Sequence, residues 1–155
     1  MTVNEFFELF LDELRANPAL TSYYKFLASP ASFEFRKAYV VQRLHYILEH
    51  LPNKEAALWD CGCGYGTTAI FLALNGYKVH GTTLEFYFAQ IPERLRYWAQ
   101  FGDVSGFTYS YENLFDSPRP PRPTTTSLSR TRCTTWSRCR KPCAFSAKPC
   151  APAAT

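Results

Sequence analysis

The sequence predicts an α/β protein in which helices pack against a small parallel sheet. The first observation is an alternation of strand, helix, strand, helix and strand between residues 56 and 111. The second is a glycine-rich turn that joins the first of these strands to the helix after it. The third is a series of apolar helical segments in front of the alternation. Strands joined by helical crossovers pair in parallel, so the expected sheet is parallel.

Residues 1–57 are predicted to form a helical cap. Thr2 and Glu5 have the spacing of a capping box at the start of the first helix. The apolar positions that follow recur at helical spacing and are Val3, Phe6, Phe7, Phe10, Leu11 and Leu14. A short second helix is expected over residues 20–28 and a third over residues 32–50. The aromatic side chains of this region are expected either to pack in the core or to form a lid over a site.

Residues 58–116 are predicted to carry the sheet. The expected strands and helices, in chain order, cover residues 56–60, 67–75, 77–83, 85–101 and Phe107–Tyr111. The helix over residues 85–101 contains Pro92, which interrupts it or starts it afresh, because proline fits only the first turn of a helix without strain.

The turn after the first strand has the sequence "LWDCGCGYGTT". Its glycines, Gly62, Gly64 and Gly66, allow backbone conformations that other residues avoid and leave room for a ligand close to the main chain. The helix that follows presents free N–H groups at its start. We therefore expect a nucleotide-like ligand over this turn, at the carboxyl end of the sheet.

The spacing of the turn differs from a dinucleotide fingerprint. That pattern requires glycine at its sixth position, where this chain has Thr67 and an early glycine at Gly66. An acid, Asp60, also stands two positions before the first glycine. The pattern resembles the first motif of class I S-adenosylmethionine-dependent methyltransferases. The resemblance covers about residues 58–116, and a dinucleotide-binding oxidoreductase remains an alternative.

The resemblance implies a Rossmann-like three-layer αβα fold and S-adenosylmethionine as the methyl donor. Asp60 would face the ammonium group of this cofactor, and the turn from Cys61 through Gly62, Gly64 and Gly66 would contact its methionine part. The acceptor molecule and the catalytic residues are not indicated by the sequence.

The ends of the second and third strands supply the remaining cofactor residues implied by the resemblance. Thr83 occupies the place where the family often has an acid for the ribose hydroxyls, and Glu85 follows two residues later. Glu85 could instead only stabilise the first turn of the next helix. After the third strand, Asn113 is the candidate for the adenine amino group, with Leu114 beside the ring and Glu112 as the alternative to Asn113.

Cys61 and Cys63 do not predict a metal site. They alternate with glycines in a tight turn, and no second pair of ligands has zinc-binding spacing in residues 1–116.

Residues 117–155 differ in composition from the rest of the chain. They contain eight Lys and Arg and no acid, whereas residues 1–116 contain nine Lys and Arg and thirteen acids. They also hold seven of the 11 prolines and four of the 6 cysteines, with Leu128 as the single aliphatic residue larger than alanine. This composition predicts a disordered tail. Its positive charge is also compatible with a nucleic-acid-binding arm, which would give a nucleic-acid-associated protein as the alternative function.

A shift of the reading frame near residues 117–123 also accounts for the tail. In the shifted frame, each new codon consists of the last base of one codon and the first two bases of the next. Codons of this kind can encode "YDYI" from residue 124, "DALHHLEPL" from residue 130 and "EALRIFREALRPGG" from residue 140. A strand, a polar loop and an amphipathic helix in this order match what the resemblance implies after the third strand. We therefore expect a frame-shifted C-terminal part, an incomplete domain, and cofactor binding and catalysis that are impaired.

The sequence shows neither a long apolar run nor a basic, cleavable N-terminal segment. The expectation is a cytoplasmic protein with reduced thiols and no membrane partner.

Overall fold

The computed structural model describes residues 1–51 and 53–112 and the backbone of residues 126–129. This part of the chain is a mixed α/β structure with a parallel sheet, as the sequence predicts. Its helices are α1 (Val3–Ala16), α2 (Pro18–Tyr23), α3 (Pro30–His50), α4 (Thr67–Leu74), α5 (Glu85–Phe88) and α6 (Ile91–Trp98). A short 3-10 helix covers Lys25–Ala28. The strands are β1 (Ala57–Cys61), β2 (Lys78–Thr83), β3 (Phe107–Tyr111) and β4 (Thr126–Ser129).

Local capping signals determine where the N-terminal helices begin. The capping box of Thr2 and Glu5 is confirmed, with the Thr2 N–H donating to the Glu5 carboxylate at 2.7 Å. The Asn17 side chain accepts the Ala19 N–H at 3.1 Å and so starts α2 earlier than predicted. Pro18 and Pro30 both lie in the first turn of a helix, where the missing N–H costs no hydrogen bond.

The predicted helix over residues 85–101 is two helices. α5 ends at Phe88, and α6 begins at Ile91 with Pro92 in its first turn. The prediction that Pro92 starts the helix afresh is therefore confirmed, because a proline at this position can only begin a helix without losing a backbone hydrogen bond.

The strands lie in the order β3-β2-β1-β4, and every neighbouring pair is parallel. In the register of the ladder, Asp60 of β1 is opposite Gly81 of β2, and Gly81 is opposite Tyr109 of β3. The carboxyl ends of these three strands therefore share one edge of the sheet, and the glycine turn leaves the sheet at that edge.

Strand β4 lies within the segment that the sequence predicts to be disordered. The described chain thus adds a fourth strand to the three that the sequence predicts, because residues 126–129 pair with the side of β1 that β2 leaves open. A ladder is made by main-chain groups, so a short segment with one apolar residue, Leu128, can complete it. The other residues from 113 to 155 lie outside the described part of the chain.

The core lies between one face of the sheet and a layer formed by α1, α4 and α6. Phe6 of α1 is fully buried, with its ring centroid 5.0 Å from that of Phe71 in α4 and 4.5 Å from that of Trp98 in α6. Leu58, Val79 and Phe107 supply the sheet side of this core. The first helix is thus part of the same core as the sheet.

None of the helices in the described part of the chain is long and apolar enough to span a lipid bilayer.

Candidate functional site

The glycine turn connects the end of β1 to the start of α4. Gly62, Gly64 and Gly66 all have positive φ, at 76°, 57° and 74°. Side chains other than glycine are strained in this region, so the three glycines are required by the backbone of the turn itself. Gly66 is also the N-cap of α4, which begins at Thr67.

Hydrogen bonds to the end of β2 hold the turn in place. The Cys63 N–H donates to the carbonyl of Thr82 at 2.9 Å, and the Gly66 N–H closes the turn on the Cys63 carbonyl at 3.0 Å. The Thr83 hydroxyl donates to the Gly64 carbonyl at 3.0 Å. The loop is therefore anchored at its middle as well as at its two ends.

The first and third glycines have different surroundings. A Cβ atom at Gly66 would lie 2.8 Å from Cε1 of Phe107, so this position must be glycine for the turn to lie on β3. Apart from the chain neighbours of Gly62, none of the described residues has an atom within 4 Å of a Cβ placed there. The described part of the chain therefore leaves space at Gly62 in which a ligand can approach the main chain.

The edge of the sheet beside the turn is acidic. Asp60 is completely buried at the end of β1. Burial, then the charge of Asp60, then that of Glu112 raise the pKa of the half-buried Cys61 thiol. Two carboxylates from the ends of β1 and β3 thus act on the same point of the loop, where they favour a cationic group over a phosphate.

The other residues predicted to bind the cofactor are distributed as follows. Thr83 is buried at the end of β2 and its hydroxyl hydrogen is directed to Gly64. Glu85 is exposed in the first turn of α5. Asn113 and Leu114 lie outside the described residues. The structure therefore brings Thr83 into contact with the turn, whereas Glu85 lies in the next helix, α5.

A buried ion pair behind the turn was not predicted from the sequence. Arg94 of α6 is 1% exposed and Glu13 of α1 is 3% exposed. Nε of Arg94 donates to Oε1 of Glu13 at 2.7 Å, and Nη2 donates to Oε2 at 2.5 Å. Burial alone would lower the pKa of Arg94, but its hydrogen bonds and attraction to Glu13 outweigh this and raise the pKa.

The same guanidinium reaches the glycine turn. Nη1 of Arg94 donates to the carbonyl of Tyr65 at 2.6 Å and to Oγ1 of Thr67 at 2.8 Å. The indole N–H of Trp98 donates to the Glu13 carboxylate at 2.9 Å. Helices α1 and α6 are therefore linked to the turn through one side chain.

Aromatic rings from the cap and from α5 surround Tyr65, which directly precedes the last glycine of the turn. The Tyr65 ring is 4.9 Å from Tyr23, 6.1 Å from Tyr24 and 4.8 Å from Tyr87, measured between centroids. The hydroxyl of Tyr24 is also 3.0 Å from Oγ1 of Thr67. The cap thus contacts the loop directly.

No family model matches the chain, and no curated protein matches it. Within the described residues, no three His, Cys, Asp or Glu side chains lie close enough together to hold a metal ion. The function is therefore inferred from the turn and its surroundings.

Proposed function

We propose that this chain carries the cofactor-binding part of a class I S-adenosylmethionine-dependent methyltransferase. The observation that carries the proposal is the pairing of a buried acid, Asp60, with a turn of three positive-φ glycines between β1 and α4. The acid suits a ligand with a cationic group, and the turn allows close contact with the backbone.

The order of the strands supports a ligand at this turn. In open parallel sheets, ligands bind at the carboxyl ends of the strands, where the strand order reverses direction. The order β3-β2-β1-β4 reverses at β1, since β2 and β3 extend to one side and β4 lies on the other. This order is also that of the first four strands in Rossmann-type sheets. The glycine turn follows β1 and therefore stands at the favoured position.

The charge around the turn favours S-adenosylmethionine over a dinucleotide. Burial, and then the charges of Asp60 and Glu112, raise the pKa of Cys61, so two carboxylates act on this end of the loop. A pyrophosphate would be repelled there, whereas the ammonium and sulfonium groups of S-adenosylmethionine would be attracted. The methyl group on that sulfonium is the electrophile that the cofactor supplies when bound.

The residues of the chain would act by positioning. Asp60 would hold the ammonium group, and the backbone from Cys61 to Gly66 would hold the methionine part. Thr83 keeps the turn in shape through Gly64, and its oxygen can still accept a hydrogen bond from a ribose hydroxyl. The aromatic rings around Tyr65 leave that side chain only 3% exposed. Holding reactants in a fixed geometry is the main contribution expected in such a site.

Calorimetric titration of the full chain tests the proposal. S-adenosylmethionine or its demethylated product should bind with little dependence on salt. Asp60→Asn should weaken binding by about tenfold to a hundredfold, because a hydrogen bond to a charged group contributes about 1.5–3 kcal/mol. Glu93→Gln is the matched control, since Glu93 is exposed on α6 and should leave binding unchanged.

Two results would contradict the proposal. Binding of a nicotinamide dinucleotide in competition with S-adenosylmethionine, unaffected by Asp60→Asn, would favour an oxidoreductase. Steeply salt-dependent binding of single-stranded DNA, without any binding of S-adenosylmethionine, would favour the nucleic-acid alternative.

A further inference from the structure

The buried pair of Glu13 and Arg94 connects parts of the chain that are far apart in sequence. Glu13 lies near the end of α1, Arg94 lies 81 residues later in α6, and both are almost inaccessible to solvent. An ion pair alone would not explain this arrangement, since a buried pair is often no more stabilising than apolar side chains of the same volume.

The guanidinium nitrogens of Arg94 donate to two separate places, the Glu13 carboxylate and the glycine turn. One side of the planar guanidinium, Nε and Nη2, is held by the two oxygens of Glu13. The remaining nitrogen, Nη1, donates to the Tyr65 carbonyl within the turn and to the Thr67 side chain at the first residue of α4. Because the fork is rigid, fixing one side of it fixes the direction of the other.

We propose that Glu13 and Arg94 are positioning residues for the glycine turn, so that helix α1 belongs to the ligand-binding unit. Glu13 orients Arg94, and Arg94 holds the backbone between Gly64 and Thr67 against the start of α4. Tyr24 supports the same point from the cap, since its hydroxyl also contacts Thr67. The expected effect of these residues on the affinity for a ligand rests on the proposed function, whereas their expected effect on the rigidity of the turn does not.

A double variant separates this role from a contribution to stability. Glu13→Leu with Arg94→Met replaces the ion pair by apolar side chains of similar size, a change that is often neutral for folding. It removes the bonds of Arg94 to Tyr65 and Thr67 at the same time, together with the bond of Trp98 to Glu13. Hydrogen exchange of the Cys63 and Gly66 amides should become roughly tenfold faster, while the Val79 amide in the sheet, bonded to Gly106, keeps its rate.

Arg94→Lys provides a second test that does not depend on the double variant folding. Lysine keeps the charge and can bind Glu13, but its single nitrogen cannot reach the Tyr65 carbonyl from the same position. It should accelerate exchange in the turn in the same direction. In both variants the affinity for S-adenosylmethionine should fall about tenfold.

The outcomes separate this inference from the proposed function. Unchanged exchange at Cys63 and Gly66 in folded variants would overturn it and leave the pair a purely structural feature. Faster exchange in the turn, together with no cofactor binding by the unmodified chain, would support the positioning role and contradict the methyltransferase proposal.

Discussion

The hydroxyl of Thr83 donates a hydrogen bond of 3.0 Å to the carbonyl of Gly64. This bond joins the end of β2, where Thr83 is buried, to the middle of the glycine turn, where Gly64 is half-buried. The resemblance implied a ribose contact for Thr83. The structure gives this side chain a role in the shape of the turn in addition, since the donated hydrogen is directed to the protein.

Removal of the Thr83 hydroxyl should therefore destabilise the turn even when no ligand is bound. Thr83→Val leaves the Gly64 carbonyl without this donor and should lower the free energy of unfolding by about 1–3 kcal/mol. Thr83→Ser keeps the hydroxyl and is expected to remain closer to the unmodified chain. Urea denaturation of both variants measures the difference, and equal stabilities would show that the hydrogen bond contributes nothing.

The two outer glycines of the turn should respond differently to alanine. Both have positive φ, which costs an alanine about 1–2 kcal/mol. Gly66→Ala should cost more, because the new Cβ would lie 2.8 Å from the Phe107 ring. Among the described residues, none beyond its chain neighbours would touch the Cβ of Gly62→Ala, so this variant should instead weaken ligand binding at a smaller loss of stability. Denaturation and calorimetry of the pair check this, and the prediction fails if Gly62→Ala is the less stable variant.

The order of the elements and the glycine turn could be predicted because both are encoded by neighbouring residues. The capping box of Thr2 and Glu5, the restart at Pro92 and the strand Phe107–Tyr111 each depend on a few adjacent positions. The three glycines are likewise required by the positive φ of the local backbone.

The buried network could not be predicted because its members are distant in sequence. Arg94 and Glu13 are charged residues on amphipathic helices, and such residues are ordinarily exposed. Only the packing of α1 against α6 through Phe6 and Trp98 brings them together out of water. Strand β4 was missed for a different reason, since Leu128 is its single apolar residue and its pairing depends on the open side of β1.

The buried and the exposed ion pairs of α1 should differ in their contribution to stability. Glu13→Leu leaves the guanidinium of Arg94 buried without its counter-ion and should lower the free energy of unfolding by about 3–5 kcal/mol. Glu8 makes a comparable pair with Lys37 at 3.1 Å, but both side chains are largely exposed. Glu8→Leu should therefore cost at most about 1 kcal/mol. Thermal or urea denaturation of the two variants gives the comparison, and similar losses would contradict it.

The reactivity of Cys61 should report the acidic edge of the sheet. Burial, followed by the charges of Asp60 and Glu112, raises the pKa of this thiol, so less thiolate is present at a given pH than in an unfolded chain. Alkylation of Cys61, followed by mass spectrometry of its peptide, should therefore have its pH midpoint above that of a free cysteine.

In that experiment, Glu112→Gln separates the effect of the Glu112 charge from the effect of the limited solvent access to the Cys61 thiol. The substitution removes one negative charge and leaves the thiol half-buried, so the pH midpoint of Cys61 alkylation should move down toward that of a free cysteine. Since the folded thiol ionises less readily than the unfolded one, the free energy of unfolding should also decrease as the pH rises above the ordinary thiol pKa. That decrease should be smaller in Glu112→Gln. An unchanged midpoint would mean that burial and Asp60 control the thiol, and that Glu112 contributes nothing to the field at the glycine turn.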